Sequence, residues 1–157
     1  MKHGEGKYKQ TDGAEYRGQF ANDDKHGIGV ITYRNGDTYT GEWKAGMRSG
    51  KGIYETKSGY TFKGEFKNDQ INGIGLLVHP NGDIFNGEWF EGTKTGIGQF
   101  LFADGEKYEG KWLSDKRNGK GRYVWKGGET FFGDFKDGDI LYGELVKGDG
   151  KRVVIEK

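Results

Sequence analysis

Along this chain an aromatic residue, a spacer, a glycine, a second spacer and another aromatic residue form a five-residue core that returns every 23 residues. Gly18, Gly41, Gly64, Gly87, Gly110 and Gly133 hold its centre. Tyr16, Tyr39, Phe62, Phe85, Tyr108 and Phe131 fill the first ring slot, and Phe20, Trp43, Phe66, Trp89, Trp112 and Phe135 the second. Two further glycine columns keep the same phase, Gly27 to Gly119 and Gly29 to Gly121. A period of this length marks a repeat architecture in which each unit packs mainly on its neighbours.

Turn signals divide each repeat in two. One follows the second ring, as in Asn22-Asp23, Asn68-Asp69 and Glu91-Gly92; the other is Asn35-Gly36, Ser58-Gly59, Asn81-Gly82, Asp104-Gly105 and Gly127-Gly128. Such dipeptides suit positive φ and tight reversals. With glycine every few residues, long helices are excluded. The fold class expected is all-β: an elongated single antiparallel sheet of tandem hairpins, about 13 strands, built as a repeat array.

Pairing fixes which residues share a face. A two-residue turn at Asn68-Asp69 pairs Phe66 with Ile71, Gly64 with Gly73 and Phe62 with Gly75. An odd-length connection at the second turn then carries the rings and both glycine columns on one face through successive repeats. In this reading glycine is needed because a ring lies over the neighbouring backbone. The opposite face mixes polar residues of first strands with aliphatic residues of second strands, among them Ile28, Val30, Ile74, Leu76 and Ile97.

The array spans residues 1–157. It comprises a half repeat at 1–15, full repeats at 16–38, 39–61, 62–84, 85–107 and 108–130, and a degenerate repeat with a capping hairpin at 131–157. The first strand is expected to leave an open edge, which is a pairing hazard or a pairing site.

Composition narrows the function. Hydrophobic residues are 32% and mean hydropathy is −0.92, close to a disordered chain, so order has to come from the 15% aromatic content. The net charge of +1, from 25 basic and 24 acidic residues, gives no field for nucleic acid. No cysteine and no long apolar run are present, which fits a soluble, cytoplasmic protein without disulfides. His3, His26 and His79 lie in non-equivalent positions and form no metal or catalytic set. Gly46 to Gly52 imitates a phosphate loop but has one residue too few between its glycines and lacks the Ser or Thr after lysine. No catalytic residue, metal or cofactor is therefore expected.

The segment Tyr39-Thr40-Gly41-Glu42-Trp43-Lys44-Ala45-Gly46, followed by Ser49-Gly50-Lys51-Gly52, resembles the MORN (membrane occupation and recognition nexus) repeat. Phe85 to Trp89 and Tyr108 to Trp112 repeat the match. Phe20, Phe66 and Phe135 depart from it at the tryptophan slot. The resemblance implies a twisted sheet of hairpins serving as a non-enzymatic scaffold, including cytoskeletal and ciliary ones, and it does not specify a partner.

Two classes of function stay open. The first is a protein-interaction scaffold that binds a peptide, a protein segment or its own copy along an aromatic groove of Tyr39, Trp43, Phe62, Phe66, Phe85, Trp89, Tyr108 and Trp112. The acidic row Glu42, Glu65 and Glu88 is then either a solvated stripe or a dock for a basic partner. The second is a phosphoinositide or membrane-surface module, in which Lys25, Arg48, Lys94, Lys116 and Arg117 on the hairpin edge face anionic lipid. A regulatory fragment of a larger enzyme is a third reading. Cytoskeletal, ciliary and inner-membrane-surface locations, and a homodimer through the array ends, follow from these alternatives.

Overall fold

The computed structural model describes residues 1–157 and is all-β, without a helix. The chain divides into two compact units, Met1–Pro80 and Asn81–Lys157. The first contains β1 (Gly4–Lys9), β2 (Glu15–Ala21), β3 (Asp24–Thr32), β4 (Thr38–Lys44), β5 (Met47–Glu55), β6 (Thr61–Lys67) and β7 (Gln70–Val78). The second contains β8 (Ile84–Phe90), β9 (Thr93–Leu101), β10 (Lys107–Leu113), β11 (Lys116–Val124), β12 (Thr130–Lys136), β13 (Asp139–Val146) and β14 (Arg152–Glu156). Within each unit strand order follows chain order, and each strand pairs antiparallel with the one before it.

Both turn types form as their residues dictate. At the hairpin tip Asn68 and Asp69 have φ of 49° and 67°, the left-handed pair that a two-residue reversal needs. In the other connection Tyr33 N–H donates to the Asp37 carbonyl at 2.8 Å and Gly36 N–H to the Tyr33 carbonyl at 2.9 Å. That leaves a three-residue loop with Gly36 at φ 93°. The connection has odd length, so ring slots stay on one face: Ile31 faces Tyr39, Gly29 faces Gly41 and Gly27 faces Trp43.

One pairing differs from the sequence expectation. Phe66 does pair with Ile71, but Gly64 then pairs with Gly75 and Phe62 with Leu77, not with Gly73 and Gly75. A bulge opposite Glu65 absorbs two extra residues, and the same shift recurs at Gly18/Phe20, Gly41/Trp43, Gly87/Trp89 and Gly110/Trp112. Its hinge is the first glycine column, with φ between 67° and 114° at Gly27, Gly50, Gly73, Gly96 and Gly119. Because the shift is two residues, no side chain changes face.

The bulge brings two glycine columns back to back. A Cβ on Gly87 would lie 2.5 Å from the Gly98 Cα, and one on Gly98 would lie 2.5 Å from Cζ of Phe85 and 3.1 Å from Cδ1 of Trp112. The ring thus lies over the Gly29-to-Gly121 column. The Gly27-to-Gly119 column does not sit beneath a ring: there a Cβ would meet the side chain of Gln19, Glu42, Glu65, Glu88 or Lys111.

Flat rings on bare backbone form the core. In the first unit Phe20, Tyr16, Trp43, Tyr39, Phe66 and Phe62 make a continuous edge-to-face series, with centroids 4.9–5.4 Å apart and planes at 78–89°. Trp89, Phe85, Trp112, Tyr108, Phe135 and Phe131 do the same in the second, at 5.0–5.4 Å and 83–89°. Each such pair contributes about 0.5–1.5 kcal/mol beyond its area burial. Polar atoms of the core rings bond to backbone carbonyls: the Tyr39 hydroxyl donates to the Glu42 carbonyl at 2.9 Å, and the Trp43 indole N–H to the Gly29 carbonyl at 3.1 Å.

The C-terminal irregularity has a simple origin. Between Asp134 and Phe135 the β12–β13 bulge absorbs one residue where the others absorb two, since Phe135 faces Ile140 and Asp134 faces Tyr142. Gly143 therefore meets Gly133 one residue ahead of the 23-residue phase. β14 closes the last hairpin, with Val153 opposite Leu145.

Candidate functional site

The eight rings expected to line a groove are the core itself. Tyr39, Phe85 and Tyr108 are 0% exposed, and Trp43, Phe62, Phe66, Trp89 and Trp112 no more than 8%. A single sheet has no second layer to cover a ring. Here each ring is covered instead by the perpendicular ring beside it and by the glycine backbone beneath. A ligand laid on this face would meet what borders the rings.

What borders them is a second aromatic row, two and four residues beyond the Gly29-to-Gly121 column. In the first unit it is Tyr33 and Tyr54, with centroids 5.9 Å apart. In the second it is Phe100, Phe102, Tyr123 and Trp125; Phe100–Phe102 are at 4.6 Å and Tyr123–Trp125 at 4.8 Å. Tyr33, Tyr54, Phe100, Phe102 and Trp125 are half-buried. The sequence signal for this row is weak because Ile31, Leu77, Thr56 and His79 occupy equivalent positions.

Four of the five cations on the expected lipid edge turn inward over the same face. Arg48 lies 5.9 Å from the Tyr39 centroid, 5.8 Å from Phe66 and 5.3 Å from Tyr54. Arg117 stands likewise over Tyr108, Tyr123 and Phe135 at 5.4–5.8 Å. Lys25 sits 5.3 Å from Trp43, and Lys94 5.4–5.9 Å from Phe85, Trp89 and Trp112. Lys116 is exposed at its hairpin tip. Burial lowers the pKa of Lys94, against the opposing pull of Asp115, and burial likewise lowers that of Lys25 against Asp69.

The guanidinium groups are held from the next hairpin tip. Arg48 Nη2 donates to the Asp69 carbonyl at 2.7 Å and its backbone N–H to Asp69 Oδ1 at 2.8 Å. Arg117 Nη2 donates to the Gly138 carbonyl at 2.6 Å. On the other side of the row, Asp37 accepts the Lys57 N–H at 3.0 Å and the Tyr54 hydroxyl at 3.1 Å. Those bonds, the Lys57 N–H first, hold its carboxyl below the usual range, while burial and then Asp37 push Tyr54 up to about 12. Glu106 accepts the Tyr123 hydroxyl in the second unit. Each unit thus presents half-buried rings with a fixed cation on one side and a carboxylate on the other.

The acidic row does not stand free in solvent. Glu42, Glu65 and Glu88 each use Oε2 to accept the backbone N–H nine residues on, from Lys51, Ile74 and Ile97, the last residue of each bulge. Gln19 does the same for Ile28 at 2.7 Å. On this opposite face Ile28, Ile74 and Ile97 are 55–57% exposed, so the aliphatic column is a surface.

The MORN repeat profile matches residues 1–15, 16–38, 39–59, 62–84, 85–107 and 108–130. No curated protein matches the sequence significantly. Among solved structures the chain is similar to the TCP domain of SAS-4 (dCPAP) in complex with a proline-rich motif of Ana2 (dSTIL), from Drosophila melanogaster. The TM-score is 0.54 at 13% identity, covering 98% of this chain and 90% of that one. It is also similar to the TCP10c domain of Drosophila melanogaster Sas-4, with a TM-score of 0.52 at 13% identity, covering 98% and 99%. At that identity the likeness is one of fold, whereas the repeat matches run through most of the sequence: the chain belongs to the MORN repeat family.

Proposed function

We propose that the protein is a peptide-binding scaffold, of the cytoskeletal or ciliary kind, whose ring face takes an extended partner segment. The observation that carries this reading is the half-buried second row, Tyr33 and Tyr54 in one unit and Phe102 and Trp125 in the other, flanked by Arg48 and Arg117. The eight core rings form the bed under that row. A proline-rich segment suits such a surface, because its extended helix is preformed and packs on aromatic faces at low entropic cost. The TCP domain complex of similar fold, which holds a proline-rich motif, supports the same ligand class.

The test is a fluorescence anisotropy titration of labelled proline-rich peptides against the wild type and three variants. Tyr54→Ala and Trp125→Ala should weaken binding by about thirtyfold, the equivalent of roughly 2 kcal/mol at a contact hot spot. Ile97→Ser, on the other face, should leave it unchanged. Binding that survives both ring variants and is lost in Ile97→Ser would move the site to the aliphatic face.

A further inference from the structure

At four bulges a side chain accepts the backbone N–H that the ladder leaves over: Gln19 takes that of Ile28, Glu42 that of Lys51, Glu65 that of Ile74 and Glu88 that of Ile97. The bulge between β10 and β11 carries Lys111 in the same slot, and an ammonium is a donor only. The Lys120 N–H, nine residues on, therefore lacks the acceptor that its four counterparts have. Where Oε2 of Glu65 or Glu88 would crowd a Cβ on Gly73 or Gly96, the Lys111 stem passes Gly119 with Cδ at 3.2 Å, and the third-nearest atom is its Cγ at 3.9 Å. The end of Lys111 thus turns away from the place of the carboxylate oxygen, which is open beside the donor.

The surroundings are cationic. Lys107, Lys111, Lys120 and Arg122 share this face of β10 and β11 with one carboxylate, Glu109. Glu109 is already taken, by Lys107 at 2.5 Å, Gln99 Nε2 at 2.6 Å and Arg122 at 3.7 Å. On β12 Asp134 stands opposite Lys120 and binds its Nζ at 3.3 Å. Of the four cations Lys111 alone enters no ion pair. Exposed apolar side chains stand on both sides: Ile97, opposite Lys111, is 57% exposed, and Phe132, opposite Arg122, is 48% exposed.

We propose that this bulge binds the carboxylate of an acidic residue in a partner protein segment. The Lys120 N–H and the Lys111 ammonium are its donors, and apolar neighbours of that residue rest on Ile97 and Phe132. The chain's own glutamates supply the pattern, since in three repeats one carboxylate oxygen caps the equivalent N–H. A phosphate dianion fits less well: Asp134 and Glu109 border the site and repel a second charge, and only one cation is unpaired. The site lies on the face away from the core rings, so it is separate from the peptide site proposed on the ring face.

Proton–nitrogen NMR spectra of the 157-residue chain, titrated with the blocked tripeptide acetyl-Leu-Glu-Leu-amide, test this. In the wild type the Lys120 amide proton should move downfield and saturate. The same peptide with Gln in place of Glu should bind at least about tenfold more weakly, because its hydrogen bonds are no longer charge-assisted. Lys111→Gln, which supplies an acceptor as Gln19 does, should move the amide downfield without peptide and abolish the response. Lys111→Ala removes the ammonium and leaves the donor open, so binding should weaken by about threefold. Trp125→Ala, on the ring face, should leave the titration unchanged. A Lys120 amide that does not move would overturn the proposal, as would equal binding of the Glu and Gln peptides or a response retained in Lys111→Gln. Inorganic phosphate binding more tightly than acetate at the same amide would also overturn it, in favour of a phosphate ligand.

Discussion

Glu65 Oε2 accepts the backbone N–H of Ile74 at 2.7 Å, across the gap that the bulge at Gly73 opens in the β6–β7 ladder. The side chain lies along the very space a Cβ on Gly73 would occupy. Carboxylate and glycine are thus two halves of one device, repeated by Glu42 with Gly50 and by Glu88 with Gly96.

Read as a solvated stripe, Glu65→Ala would be silent, within about 0.5 kcal/mol. With its hydrogen bond in place the substitution should cost about 1 kcal/mol, and Glu65→Gln should retain most of that, as Gln19 does in the first full repeat. Lys111 occupies the same slot and supplies no acceptor. Lys111→Gln is therefore expected to stabilise by up to about 1 kcal/mol. Urea unfolding of the three variants checks the set; a silent Glu65→Ala would remove the device.

Gly98→Val should be far more costly than any surface change, because its Cβ would enter the Phe85 ring at 2.5 Å and press on Trp112 at 3.1 Å. The ring cannot move away without opening the edge-to-face contact of Phe85 with Trp112 at 5.1 Å. Destabilisation at the upper end of the overpacking range, about 3 kcal/mol, is expected in thermal or urea melts. A melt like that of the wild type would refute close contact of ring and backbone.

The fold was legible because period and turn chemistry agree: Asn68-Asp69 and Asn35-Gly36 name their turns, and one ring slot names the face. The two-residue bulge was not legible, since a shift by two leaves the hydrophobic pattern unchanged and only the Gly27-to-Gly119 column hints at it. The site was less legible still. Tyr39 or Trp89 could be read as groove or core, because the choice depends on whether neighbouring rings turn edge to face, which sequence spacing does not encode. The tip register sets Arg48 and Lys94 near the turn, which in sequence points to an outer edge; their long stems fold back over the rings.

Trp89 is 6% exposed and stands 5.3 Å from Phe85 in the ring series. Trp89→Ala should consequently cost about 3–5 kcal/mol of stability, the range for large-to-small changes in a packed core. Trp125→Ala, which removes a half-buried ring from the second row, should cost clearly less. Parallel urea unfolding of the two variants decides it, and equal losses would place Trp125 in the core with Trp89.

Tyr39 and Tyr108 are both pushed up to about 12, chiefly by burial and against the opposing pull of Arg48 and Arg117. Each buried hydroxyl also donates to a backbone carbonyl, of Glu42 and Lys111, and a phenolate would lose that bond. A phenol ionises near 10 in the unfolded chain. Above that pH the folded protein therefore holds more protons than the unfolded one, and stability falls as pH rises. The contribution is fully present below about 10 and is lost progressively up to about 12. Urea midpoints measured between pH 9 and 12 (about one unit below the unfolded value to the folded one) should decline over that window, with phenolate absorbance appearing together with unfolding. Tyr39→Phe with Tyr108→Phe should flatten the decline, because Phe62 and Phe85 already fill the same slot without a hydroxyl; an equally steep decline in the double variant would assign the alkaline loss to other groups.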